Sequence, residues 1–189
     1  MTHGLPDENG RITAAAGDEV IELAQAATVL ALGPGIGRNP VLTEFVARLY
    51  REIEKPMVVD ADGLFALAES CGILGEPAGV RVLTPHPGEF TRFTNERLDE
   101  DRRIEAAAAL AARDSSQQTI LLLKGHRTVV TDGHRFSLNN TGNPGMATGG
   151  TGDVLTGIIT GLMCQGLEPF DAARLGANLH GSAGALADE

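Results

Sequence analysis

Four short apolar runs follow one another along the chain, Thr28–Leu32 (TVLAL), Pro56–Asp60 (PMVVD), Val80–Leu83 (VRVL) and Thr119–Leu123 (TILLL), and helical periodicity fills the stretches between them. Short, β-branched runs bounded by glycine and proline read as buried strands, and their alternation with helices is the pattern of an α/β fold with a mostly parallel central sheet. Each run ends at a segment that cannot continue a strand: Gly33-Pro34-Gly35-Ile36-Gly37, Asp60-Ala61-Asp62-Gly63-Leu64, Thr84-Pro85-His86-Pro87-Gly88-Glu89 and Lys124-Gly125. Ligands of open α/β sheets lie beyond the carboxyl ends of the strands, so these stops are expected on the ligand edge.

The elements between them have readable boundaries. Asn39 is placed to cap a helix with Pro40 at its first position, running to about Ile53. A short helix is expected over Gly63–Glu69, and the Ala-rich stretch Asp99–Arg113 is a good helix former. Asp132-Gly133 reads as the turn of a hairpin between Arg127–Thr131 and His134–Leu138. After the loop Asn139–Gly150 comes a helix with Val154, Leu155, Ile158, Ile159 and Leu162 on one stripe, beside which Gly157 and Gly161 are expected to allow close packing. A last helix, Pro169 to about Asp188, is expected to turn Leu175, Leu179, Ala183 and Leu186 inward.

At 189 residues the chain suits one domain, and no repeat or linker divides it. Its 24 glycines, with no collagen-like period, point to sites where backbone turns tightly or approaches a ligand. A formal charge of −10 and the lack of any basic run disfavour nucleic-acid binding. Cys71 and Cys164 lack disulfide or zinc spacing and are read as buried thiols in a reducing cytoplasm; no metal ligand set is assigned. No stretch reads as a secretory leader or a membrane span.

The richest motif is Asn143-Pro144-Gly145-Met146-Ala147-Thr148-Gly149-Gly150-Thr151-Gly152-Asp153. Gly149, Gly150 and Gly152 leave amides unobstructed where a helix begins, an arrangement that holds phosphate. Asp153 in the first turn is kept ionised by the helix dipole and is placed to act as a base beside a phosphoryl group. The bland alternative makes Thr151 the helix cap and Asp153 a dipole partner. Lys124-Gly125-His126-Arg127-Thr128 brings further donors to the ligand edge, against the alternative of a solvated lysine. His86, between two prolines, is held in a defined direction that suits a ligand contact. Asp60 and Asp62 read as a turn and cap, and Asn178 and His180 as packing or capping residues. GPGIG is not the dinucleotide fingerprint, and GxxxxGK[ST] is absent.

With GPGIG, DADGL, TPHPGE, KGHRT and NNTGNPGMATGGTGD in this order, the chain resembles the ADP/ATP-dependent NAD(P)H-hydrate dehydratases of the ribokinase-like superfamily. The resemblance implies a ribokinase-like three-layer α/β sandwich over residues 26–189, N-terminally shortened, with residues 1–25 not matching. It implies dehydration of the S epimer of NADHX or NADPHX with cleavage of ADP or ATP, and Mg²⁺ on the nucleotide phosphates. Lys124 to Thr128 and Gly152 would contact the adenine nucleotide; Gly35 or Gly37, His86 and Asp153 would contact the hydrate. Members carry a further segment ahead of the region matching Ala26, and its absence would expose a sheet edge and favour self-association into a homo-oligomer. Two other readings stand beside this one: a ribokinase-like small-molecule kinase, for which TPHPGE is not expected, and a nucleotide-binding form without turnover.

Overall fold

The computed structural model describes residues 2–70 and 72–187, which leaves Cys71 outside. An antiparallel pair, β1 (Asp7–Glu8) and β2 (Arg11–Ile12), is followed by helix α1 (Ala16–Ala24). Then come β3 (Leu30–Leu32), α2 (Pro40–Glu52), β4 (Met57–Val59), α3 (Ala61–Glu69), β5 (Arg81–Leu83), α4 (Pro87–Thr94), α5 (Arg103–Ala111), β6 (Thr119–Leu123), β7 (Thr128–Thr131), β8 (Phe136–Asn139), α6 (Thr151–Cys164) and α7 (Pro169–Leu186). One six-stranded sheet runs in the order β3-β4-β5-β6-β7-β8, parallel through β6 and antiparallel after it. The mostly parallel α/β sandwich expected from the sequence is the fold.

Because β3 to β6 are laid down in consecutive order, the crossovers between them put α2, α3, α4 and α5 on one face. The strands are buried on both sides, and alternate residues divide between two cores. Met57, Val59, Leu83, Leu121, Leu123 and Val129 pack under those four helices and α1. Val58, Val82, Ile120, Leu122 and Val130 pack under α6 and α7. Strands β3, β4 and β5 are shorter than their apolar runs, β3 and β5 losing residues only at their amino ends (Thr28, Val29 and Val80) and β4 one residue at each end (Pro56 and Asp60).

Several expectations about the last two helices are reversed. Val154 is exposed, and α6 turns Leu155, Thr156, Ile159 and Met163 inward. On α7, Leu175, Leu179 and Leu186 are exposed while Phe170, Ala172, Ala173, Gly176, Ala177 and Gly181 form the buried face. The two helices lie so close that small residues are needed at the contact: a methyl on Gly176 would come within 2.7 Å of Ile159 Cγ1. Gly157 and Gly161 face open space and do not mediate packing. Cys164, the last residue of α6, is exposed because its neighbour Met163 takes the inward position. The hairpin turn spans four residues, Asp132 to Arg135, since the Asp132 carboxylate accepts from the amides of His134 (3.0 Å) and Arg135 (2.9 Å) and holds a wider loop.

Candidate active site

The carboxyl ends of β3, β4, β5 and β6 bring four of the sequence motifs to one edge. Gly33 ends β3 at φ +131° with its Cα against the β4 exit: a methyl there would lie 1.8 Å from the Asp60 carbonyl oxygen. Gly35 and Gly37 follow, exposed, at φ +74° and +86°. The Gly37 amide donates to Asp62 Oδ2 at 3.0 Å, so that N–H is already taken.

Asp60 is where reasoning from sequence missed a residue of this edge. It stands at the backbone cap position of α3, yet its side chain caps nothing there. Its carboxylate is buried and accepts from Lys124 Nζ at 2.7 Å and from Thr156 Oγ1 at 2.9 Å, tying β4 to β6 and to the second turn of α6. Burial pushes the Asp60 carboxyl upward, but the Lys124 charge and hydrogen bonds from Lys124 and its neighbours outweigh this and hold it below the usual carboxylate range. A hydrophilic residue directly after an all-apolar strand was the available hint; the cap reading absorbed it.

His86 opens α4. Its Nδ1 accepts from the amides of Gly88 (3.0 Å) and Glu89 (3.3 Å), and Glu89 Oε2 accepts from the His86 amide at 2.8 Å, a reciprocal capping box. With Nδ1 accepting, Nε2 is the ring nitrogen left to donate, and it lies 3.6 Å from Glu89 Oε1. Glu89 also reaches to 3.9 Å from Lys124 Nζ, and the Lys124 amide donates to the Pro85 carbonyl at 2.8 Å. The TPHPGE and KGHRT segments are thus tied to one another.

Lys124 is anchored at its backbone too. Buried Arg103, on α5, donates through one guanidinium nitrogen to the carbonyls of Leu123 (3.2 Å) and Lys124. Gly125, at φ +139°, is required there, because a methyl would lie 2.7 Å from that nitrogen. His126 and Arg127 are exposed beyond it, Arg127 at φ +59°, and Thr128 Oγ1 donates to the Gly125 carbonyl at 3.1 Å.

The glycine-rich motif forms the N-terminus of α6. Gly150, at φ +89°, is the cap residue and offers no side chain; Thr151 begins the helix and bonds back to the Thr148 carbonyl at 2.9 Å instead of capping. Among the described residues, the Gly152 and Asp153 amides donate to no protein acceptor. A methyl on Gly149 would meet nothing, so the fold itself does not demand glycine there and the bare backbone is open to a ligand. Gly152 faces inward: a methyl would lie 3.2 Å from Lys124 Nζ and 3.3 Å from Asp60 Oδ2. Asp153 is exposed on the first turn. His180 of α7, read from sequence as a packing residue, is half-buried beside this turn; burial and the Lys124 charge push its pKa down, while a contact with the Thr151 backbone pulls it up.

A family model described as NAD(P)H-hydrate dehydratase matches residues 1–189. The chain belongs to the NAD(P)H-hydrate dehydratase family. It is 48% identical over 190 residues to the bifunctional NAD(P)H-hydrate repair enzyme Nnr of Moorella thermoacetica, covering 97% of this chain and 35% of that protein. It is similar to the ADP/ATP-dependent NAD(P)H-hydrate dehydratase of Bacillus subtilis co-crystallised with ATP/Mg²⁺ and soaked with CoA, at 33% identity and a TM-score of 0.72, covering 89% of this chain and 63% of that one. A hydroxyethylthiazole kinase from Pyrococcus horikoshii, 22% identical with a TM-score of 0.67 over 85% of this chain and 63% of that one, shares the fold. The chain therefore spans about a third of this bifunctional relative and under two thirds of each of these two solved structures. Among the described residues no helix is long and apolar enough to cross a membrane.

Proposed function

We propose that this chain dehydrates the S epimer of NADHX and NADPHX, using ADP or ATP as phosphoryl donor, and so serves the repair of nicotinamide nucleotides in a reducing cytoplasm. The observation that carries the reading is the start of α6, where bare glycine backbone, two unpartnered amides and an exposed carboxylate stand next to Lys124 on the ligand edge. Family membership supports the choice of substrate.

Hydroxide is a poor leaving group, so the ring hydroxyl is first phosphorylated. Asp153 accepts its proton, the oxygen attacks the terminal phosphoryl group, and the bond to AMP (or ADP) breaks. The amides of Gly149 to Gly152 hold the transferred phosphoryl oxygens without reorganising. Phosphate then leaves as the ring nitrogen donates its lone pair, and loss of a proton from the adjacent ring carbon restores the dihydronicotinamide. Lys124 to Thr128 hold the nucleotide; Gly35, Gly37, His86 and Asp153 hold the hydrate, His86 as an Nε2–H donor.

An Mg²⁺ that the family resemblance implies would arrive with the nucleotide. When bound, it neutralises charge on the nucleotide phosphates.

The test is the rise in absorbance of regenerated NADH on mixing hydrated NADH, ADP and the protein. Asp153→Asn should slow that rise by at least about a hundredfold, the lower range for loss of a general base, while costing no more than the roughly 0.3–1 kcal/mol that an exposed first-turn carboxylate contributes against the helix dipole. Near-native turnover by this variant would remove Asp153 as the base. Wild-type protein that gains stability from ADP yet regenerates no NADH would instead be a binding form without turnover.

A further inference from the structure

On a chain of net charge −10, two guanidinium groups converge on one aromatic ring. The Arg38 and Arg92 guanidiniums lie 4.6 Å and 4.8 Å from the centre of the Phe65 ring, close enough for cation–π stacking on the ring's electron density. Both charges are therefore within about 10 Å of each other, one Debye length at ordinary salt, and they repel. Asp62 compensates Arg38, accepting from its Nε at 2.5 Å while also taking the Gly37 amide, so Arg38 is held from behind. Arg92 is exposed and, among the described residues, pairs with no carboxylate. A stacked guanidinium keeps its N–H edge free, and that edge matches the oxygens of a phosphate.

The position narrows the ligand. Arg38 directly follows Gly37; Phe65 lies one turn beyond Asp62 on α3; Arg92 lies in the last turn of α4. The cluster joins the loop after β3 to α3 and the last turn of α4, whereas KGHRT leaves β6 on the other side of β5. We propose that Arg38, Phe65 and Arg92 clamp a phosphate group of the hydrated dinucleotide, an assignment that rests on the hydrate-dehydratase reading. The shared chemistry is a phosphate ester, either the pyrophosphate bridge present in both substrates or the 2′-phosphate present in NADPHX alone.

Calorimetric titration of the whole chain with NADPH, NADH and ADP separates these, the two dinucleotides serving as stable stand-ins for the hydrates. Arg92→Gln should weaken NADPH binding about tenfold or more, as expected for losing a charged hydrogen bond, while ADP affinity stays unchanged. Arg92→Lys should recover only part, since it restores charge but not the planar stacked fork. Loss confined to NADPH assigns the clamp to the 2′-phosphate; equal loss for NADH assigns it to the pyrophosphate. Wild-type protein that binds both dinucleotides with a variant that binds them equally well overturns the clamp and leaves the dehydratase reading standing. A fall in ADP affinity with dinucleotide binding unchanged also overturns it. Wild-type protein that binds ADP but neither dinucleotide overturns both.

Discussion

Gly33→Ala is expected to destabilise the fold by about 2–6 kcal/mol, from adding backbone strain to an overpacked contact. The added methyl would sit 1.8 Å from the Asp60 carbonyl oxygen and 2.9 Å from the Gly63 nitrogen. Neither neighbour is free to move. The Asp60 carbonyl accepts from the Gly63 amide at 3.0 Å to start α3, and the Asp60 amide donates to the Leu32 carbonyl at 3.0 Å to close the ladder. At φ +131° the backbone is also one that alanine avoids. Against a typical total stability of roughly 5–15 kcal/mol, this change alone brings the chain near unfolding. Gly35→Ala is the matched control: its φ is +74°, but a methyl there meets nothing, so only the left-handed backbone penalty of about 1–2 kcal/mol applies. Urea midpoints of the two variants measure the difference, and values within about 1 kcal/mol of each other would show that the β3–β4 exit relaxes around the extra atom.

These glycines also show what was legible in the sequence. The strand–helix alternation fixes the sheet, because period and length suffice when strands are buried on both faces. Motifs at strand exits could be assigned to the ligand edge for the same reason, and the structure brings TPHPGE, KGHRT, DADGL and the α6 glycines together there. What could not be read was which helical face turns inward. Leu175 and Leu179 outrank Ala173 and Ala177 in hydrophobicity, yet the alanines are buried, because α6 and α7 approach closely enough that only small side chains fit. Hydropathy ranks transfer from water; it does not report the distance to the neighbouring helix. The role of Asp60 was hidden for a related reason. Its partners are 64 and 96 positions away, and local spacing offers a nearer explanation as a cap.

Asp60→Ala is accordingly expected to cost about 3 kcal/mol, the lower end for breaking a buried ion pair, because Lys124 keeps some solvent and the more distant Glu89. The same change frees Lys124 Nζ and Thr156 Oγ1 together, loosening β6 from α6 at the place where Gly152 leaves room for both charges. Nucleotide affinity should fall along with stability. The charge contribution is separable by pH with Asp60→Asn, which keeps the shape. The Asp60 carboxyl is held below the ordinary value near 3.9, so its contribution is fully present above that pH and fades as pH falls through the lower folded value. Asp114 and Asp132 are also held low and will add to acid unfolding, but they are common to both proteins. The stability difference between wild type and Asp60→Asn, followed by urea denaturation, should therefore be constant from neutrality to about pH 5 and shrink only below about pH 4. A difference that already closes between pH 6 and pH 7 would mean that the Lys124–Asp60 pair is not what holds these elements together.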